Sequence, residues 1–251
     1  MLKTNQSKTH NNQTADPASY EIIRLETVDS TSRYLKAYVA ENRPQKPIFC
    51  TTKIQTSGYG QQKRRWVTNN KSAIFSLAYP LEAGFQISGL LSLQIAALLH
   101  QSLNELTADK LYLKWPNDMF NEHGKVAGML IEQVIKKEYR ALIIGIGINR
   151  ESPGLVDGSS SVDFFDLEDL FESFFLKIQQ TGLQNYSQIE LTDYWQVHDL
   201  FQVNETVRLL SPDKEERGVY LGINSDGQAM IDACGETQFL SSGLSSIRKL
   251  V

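Results

Sequence analysis

The sequence predicts a larger α/β domain followed by a small all-β domain. Three observations carry that expectation. At 251 residues the chain is longer than one average domain. Between Tyr20 and Asp199, runs with an apolar period of two are interspersed with runs whose apolar residues recur every three or four positions. From Phe201 onward only short strand-like runs remain, separated by turn formers. The boundary is expected between Asp199 and Phe201, which gives a loosely ordered tail over 1–19, a first domain over 20–200 and a second over 201–251.

The tail is rich in Asn, Gln, Thr, Ser and Lys and lacks the apolar core of a signal peptide. Tyr20 to Leu25 then reads as a strand. Thr27-Val28-Asp29-Ser30-Thr31-Ser32 gathers cap-forming residues ahead of Leu35, Tyr38 and Val39, so a helix is expected with Ser30 or Thr31 as its N-cap. Pro47–Ile54 and Ala73–Tyr79 read as strands joined by a loop. Ala83 to Asn104 contains no charged residue, the length of a membrane span, but Gln86, Gln94, His100 and Gln101 interrupt it, and a helix buried in a soluble domain is the better reading. Leu111–Lys114 is a short strand closed by the turn Trp115-Pro116-Asn117-Asp118. Asn121–Gly124 is a hairpin turn into a central strand, Lys125–Glu132, whose partner Ala141–Asn149 follows the charged turn Lys136-Lys137-Glu138. Asp166 opens a helix with the apolar stripe Leu167, Leu170, Phe171, Phe174, Phe175 and Ile178, which is core, and a further helix over Ser187–Val197 is expected to pack Tyr194 and Trp195 against the sheet. Thr206–Leu210, Gly218–Ile223 and Gln228–Ala233 are the strands of the small domain, with turns at Pro212–Lys214 and Asn224–Gly227.

Composition narrows the function. With 25 basic and 29 acidic residues the net charge is −4, which argues against a general nucleic-acid binder. Cys50 and Cys234 are too far apart in sequence to read as a disulfide framework or zinc pattern, and a reducing, cytoplasmic setting is expected. His10, His100, His123 and His198 show no ligand spacing; no Walker loop or Gly-x-Ser-x-Gly elbow occurs.

Three segments carry chemistry. Gly58-Tyr59-Gly60-Gln61-Gln62-Lys63-Arg64-Arg65-Trp66 combines flexible backbone, three cations and an indole, which suits a loop that handles an anion beside an aromatic base; a solvated surface turn is the plain alternative. Lys114 and Asp118 bracket a turn that can hold a phosphate against magnesium or be an ordinary Pro-Asn-Asp turn. In Ala141–Asn149, Gly145, Gly147 and Asn149 share one strand face and Ile144, Ile146 and Ile148 the other. The stripped face can be a floor for a flat ligand or the seat of a packed helix.

The ordered set Asp29-Ser30-Thr31, Gln55 with Gly58–Trp66, Lys114–Asp118, Lys125-Val126-Ala127-Gly128 and Gly145–Asn149 resembles the biotin protein ligases, of the monofunctional type without an N-terminal DNA-binding domain. The resemblance implies a mixed-sheet α/β catalytic domain of the biotin/lipoate ligase type followed by a small SH3-like β-barrel. It also implies ATP-dependent formation of biotinyl-5'-AMP and transfer of biotin to a lysine of a biotin carboxyl carrier protein. Magnesium accompanies ATP, no tightly bound metal is expected, DNA and membranes are not partners, and a homodimer is left open. Carried onto this chain, Lys125 and Arg64 are the catalytic cations. Ser30, Thr31, Gln55, the loop at Gly58 and Tyr59, Lys125, Gly128 and Leu130 bind biotin. Gln61, Arg64, Trp66, Lys114, Asn117, Asp118, Asn149 and Arg248 serve the nucleotide, with Asp118 as the magnesium ligand. Two alternatives stand beside this: a lipoyl or octanoyl transferase, and a biotin-binding sensor with weakened catalysis.

The chain departs from the family loop, Gly-Arg-Gly-Arg-x-Gly-Arg-x-Trp, at three places. Tyr59 and Gln61 replace arginines and Lys63 replaces a glycine. Tyr59 is expected to act through its backbone amide. Gln61 removes a charge where the resemblance implies retention of the adenylate.

Overall fold

A computed structural model describes residues 19–69, 71–151, 158–183, 187–211, 214–242 and 245–250. The expectations for the tail over 1–18 and for the turn at Pro212-Asp213 lie outside the described residues. In chain order the elements are β1 (Glu21–Val28), α1 (Thr31–Asn42), β2 (Ile48–Gln55), β3 (Ala73–Pro80), α2 (Leu90–Leu106), β4 (Tyr112–Lys114), β5 (Asp118–Asn121), β6 (Gly124–Lys136), β7 (Tyr139–Ile148), α3 (Leu167–Thr181), α4 (Gln188–His198), β8 (Thr206–Ser211), β9 (Lys214–Ile223), β10 (Ala229–Ala233), β11 (Glu236–Leu240) and β12 (Ser246–Lys249).

A seven-stranded sheet runs β1-β2-β3-β7-β6-β5-β4, with β1 and β2 parallel and the remaining pairs antiparallel. Each strand buries its two faces against different partners, because side chains alternate. Ile48, Cys50, Ala141 and Ile143 meet Leu35 and Val39 of α1, whereas Phe49, Leu142, Ile144, Ile146 and Ile148 join the cluster that contains α2 and α3. Phe49 stacks on Phe171 of α3 at 4.3 Å between ring centroids, so the aromatic stripe is core as its spacing predicts. Gly145 and Gly147 therefore lie on the α1 face.

Two helices differ from expectation in informative ways. The charge-free interval Ala83–Asn104 is helical only from Leu90, since Gly84 has a φ of 86° and a β-carbon on Gly89 would lie 2.8 Å from the Asp226 carbonyl oxygen. Among the described residues no helix is long and apolar enough to cross a membrane. Trp195 of α4 is buried, but Tyr194 turns to α2 rather than to the sheet, and its hydroxyl donates to His100 Nδ1 at 2.7 Å. Burial pushes the His100 pKa down to about 4 while Nε2 donates to the Leu111 carbonyl, so this histidine is a neutral structural group.

The second sheet is antiparallel throughout, in the order β11-β10-β9-β8-β12, and is consistent with an SH3-like domain. β11 and β12 are additions to the strands the sequence pattern marked. Its apolar residues, Val207, Tyr220, Ile231 and Ile247 among them, join the same cluster as α2 and the large sheet. The seam is also polar. Leu200 N–H donates to Leu113 O at 2.8 Å, and the Trp115 indole donates to Gly227 O at 3.0 Å.

Candidate active site

A cleft of about 1730 Å³ takes its walls from α1, the loop after β2, β4 to β7 and β12. It brings together Ser30, Thr31, Gln55, Tyr59, Gln61, Arg64, Trp66, Lys114, Asn117, Asp118, Lys125, Gly128, Leu130, Asn149 and Arg248. Gly58 does not line it. A β-carbon there would lie 2.4 Å from the Gln55 side-chain nitrogen, so Gly58 lets the loop close on that amide.

One end of the cleft is built from hydroxyls and an amide. Ser30 caps α1, its Oγ accepting from Arg33 N–H at 3.4 Å, which places Thr31 and Ser32 at the helix start. Gln55 Oε1 accepts from Thr31 N–H at 3.0 Å, and its NH₂ group lies against Gly58. Ser76 of β3, fully buried, links Thr31 Oγ1 at 2.8 Å and Ser32 Oγ at 2.9 Å. Sequence reasoning missed Ser76, a serine inside an otherwise apolar strand. Gly145 exists for this contact, since a β-carbon would lie 2.5 Å from Ser32 Oγ. At that glycine the packed-helix reading holds.

The loop Gly58–Trp66 is a small hairpin. Trp66 N–H donates to Gly58 O at 3.0 Å, Gly60 N–H to Arg64 O at 2.8 Å, and Tyr59 bridges Arg65. Its tip is a 3-10 turn, Gln61–Lys63, in which Gln62 (φ 53°) and Lys63 (φ 59°) take left-handed backbone conformations. Lys63 thus occupies a backbone state that suits the glycine the family loop has at this place. Trp66 lies over the glycine floor. A β-carbon on Gly147 would be 2.4 Å from its ring and one on Gly128 would be 3.1 Å away. The indole Nε1 is buried without a hydrogen-bond partner.

The other end is charged. Lys125 Nζ lies 2.6 Å from Asp118 Oδ1 and Lys114 Nζ 3.7 Å from Asp118 Oδ2, so one carboxylate faces two ammoniums. Burial lowers the pKa of Lys114; Asp118 opposes that shift, and the charges of Lys125 and Arg248 add to it. Arg248 reaches this field from β12, in the second sheet. Lys125 Nζ is also 5.3 Å from the Trp66 ring centroid. Asn117 donates its amide N–H to Met129 O, and Asn149 donates to Ser160 O at 3.0 Å and to Lys125 O at 3.3 Å, so both amides brace the strand ends that carry Lys125. Among the described residues no group of three or more His, Cys, Asp and Glu gathers in a metal-binding arrangement. Asp118, already neutralised by lysines, does not by itself form a resident cation site. The arrangement suits a polyanion beside a flat aromatic group.

Residues 25–149 match the model of the Biotin/lipoate A/B protein ligase family. The chain belongs to that family. This family member is 27% identical over 237 residues to the bifunctional ligase/repressor BirA of Escherichia coli (strain K12), covering 89% of this chain and 73% of that protein. It is 26% identical over 195 residues to the biotin–[acetyl-CoA-carboxylase] ligase of Paracoccus denitrificans, covering 70% and 80%. Among solved structures, the biotin protein ligase from Aquifex aeolicus in complex with biotin and ATP superposes with a TM-score of 0.74 at 25% identity, over 92% of this chain and 99% of that one.

Proposed function

We propose that this family member is an ATP-dependent biotin protein ligase. The observation that carries the reading is the joining, in one cleft, of a hydroxyl and amide end to a cationic end with an indole between them. A biotin molecule fits that polarity, with its ureido ring against Thr31 and Gln55 and its carboxylate directed to Lys125. In the first step a biotin carboxylate oxygen attacks the α-phosphorus of ATP, the bond to the β-phosphate breaks, and pyrophosphate leaves. In the second, a carrier lysine amine attacks the acyl carbon, AMP leaves, and the amine gives up a proton. No protein nucleophile takes part, so rate enhancement rests on positioning and on cations placed where charge accumulates.

In this reading Ser30, Thr31, Gln55, the Tyr59 backbone, Gly128 and Leu130 hold biotin, and Gly58 lets the loop close on Gln55. Lys125 and Arg64 stabilise the charge that develops on carboxylate and phosphate. Lys114, Asn117, Gln61 and Arg248 face the phosphates and ribose, while Trp66 and Asn149 flank the adenine. Asp118 would hold a magnesium ion that accompanies ATP, and the ion would supply further charge neutralisation at the phosphates beside Lys114 and Lys125. The two domains are assigned to 20–200 and 201–251. A cytoplasmic site of action fits the free cysteines, of which buried Cys50 has its thiol pushed up to about 12.

Incubating the protein with biotin, ATP, magnesium and a biotin carboxyl carrier domain, then weighing the carrier by mass spectrometry, tests the proposal. A mass gain of one biotin is expected. Pyrophosphate exchange that depends on lipoate and not on biotin would replace it with the lipoyl-transfer reading.

A further inference from the structure

Tyr59 leaves the loop hairpin sideways. Its phenol donates to Glu132 Oε2 at 2.6 Å, while Lys36 Nζ donates to Glu132 Oε1 at 2.8 Å. The Arg33 guanidinium carbon sits 4.7 Å from the Tyr59 ring centroid and Lys36 Nζ 5.3 Å from it. These contacts are sheltered: the Lys36 and Glu132 side chains are 30% and 28% exposed. Arg33 and Lys36 lie in α1 just after Thr31, and Glu132 lies in β6 beyond Gly128. The phenol therefore ties the loop to the two elements that carry the polar and cationic ends of the cleft.

We propose that Tyr59, Glu132 and Lys36 form a clasp that holds the Gly58–Trp66 hairpin over the cleft before any ligand enters, making Tyr59 a positioning residue through its side chain. The two arms of the hairpin are hydrogen-bonded to each other, with Tyr59 bridged to Arg65 next to Trp66. Fixing Tyr59 on Glu132 therefore also fixes the indole over Gly147. A loop ordered in advance does not pay its ordering entropy when ligand binds, and it leaves slowly. A phenol bonded to a carboxylate is among the stronger neutral-to-charged hydrogen bonds. The ligand in this inference rests on the ligase reading; the clasp itself does not.

The test pairs hydrogen exchange of the loop amides with biotin kinetics in wild type, Tyr59→Phe and Glu132→Gln. The phenylalanine keeps the ring over which Arg33 and Lys36 sit and removes only the hydroxyl, so folding is retained. In the ligand-free protein the bonded amides of Gly60 and Trp66 should exchange about ten-fold faster in Tyr59→Phe, while the β6–β7 amides keep their wild-type rates. The biotin dissociation rate should rise about ten-fold, and the loss should fall more on KM for biotin than on kcat. Loop amides that exchange within two-fold of wild type in both variants would overturn the clasp. A freed loop with unchanged biotin dissociation would overturn the positioning role. A wild-type protein that binds no biotin would refute the ligase reading, and the exchange rates would then decide the clasp alone.

Discussion

Gly147→Ala is the sharpest perturbation of this site, because it adds one methyl group between β7 and the Trp66 indole. That β-carbon would lie 2.4, 2.5 and 2.6 Å from Cε2, Nε1 and Cζ2 of Trp66, about an ångström inside van der Waals contact. The strand is held on both sides, since Gly147 pairs with Ile74 of β3 and with Gly128 of β6 in the antiparallel sheet. The indole sits on a loop and moves instead. Stacking of a base on an aromatic side chain is worth about 1–3 kcal/mol, so losing the wall should raise KM for ATP on the order of ten-fold or more. Biotin-dependent pyrophosphate exchange at varied ATP reads that change. Acrylamide quenching reads the cause, because Trp115 and Trp195 are fully buried and only Trp66 can become more accessible. An Ala variant with wild-type KM for ATP and wild-type quenching would show that the indole does not stand where the nucleotide does.

Four further outcomes follow from the same geometry. Lys125→Ala should lower pyrophosphate exchange by about 10²- to 10³-fold, the cost of one preorganised charge donor, with little change in melting temperature. Gln61→Arg should slow the escape of biotinyl-adenylate in a carrier-free reaction about ten-fold, measured by trapping free adenylate; equal escape would show that Gln61 does not govern retention. Lys63→Gly should relieve the left-handed backbone at φ 59° and stabilise the closed loop by about 1 kcal/mol, read as slower exchange of the loop amides. Burial pushes the Asp199 pKa from 3.8 up to about 7, against opposing hydrogen bonds from Tyr220 and from Phe201 N–H. The folded chain therefore keeps a proton that the unfolded chain has lost between about pH 4 and 7. Stability contributed by this group falls as pH rises through that window, and Asp199→Asn should flatten denaturation midpoints measured across it.

Much of this was legible from residue order alone. The cap residues Ser30 and Asp166, the alternation in Ala141–Asn149 and the phenylalanine stripe each encode their partner in the local period. Strand β5 was not legible: it is four residues between two turns, too short to show a period, and it reads as part of both. Nor was the placement of β7 between β3 and β6, since strand order depends on pairings distant in sequence. In the site, the residue types were readable but their commitments were not. Tyr59 meets a carboxylate 73 positions away, and Ser76 meets Thr31 across 45. The glycine floor was readable as a vacancy, yet its occupants, an indole at Gly147 and a serine at Gly145, come from other segments.

The seam between the sheets carries a consequence for engineering. Trp115, fully buried, donates its indole N–H to the Gly227 carbonyl, in a turn whose φ of 79° suits glycine, while Pro116 and Asn117 beside it line the cleft. Grafting the C-terminal sheet of a relative onto this chain thus means transplanting half of a joint. A chimera that loses the carbonyl strands a tryptophan donor directly behind the cleft. Matching the 224–228 turn to Trp115 would therefore be the condition for exchangeable C-terminal modules, more than the sequence of the linker between them.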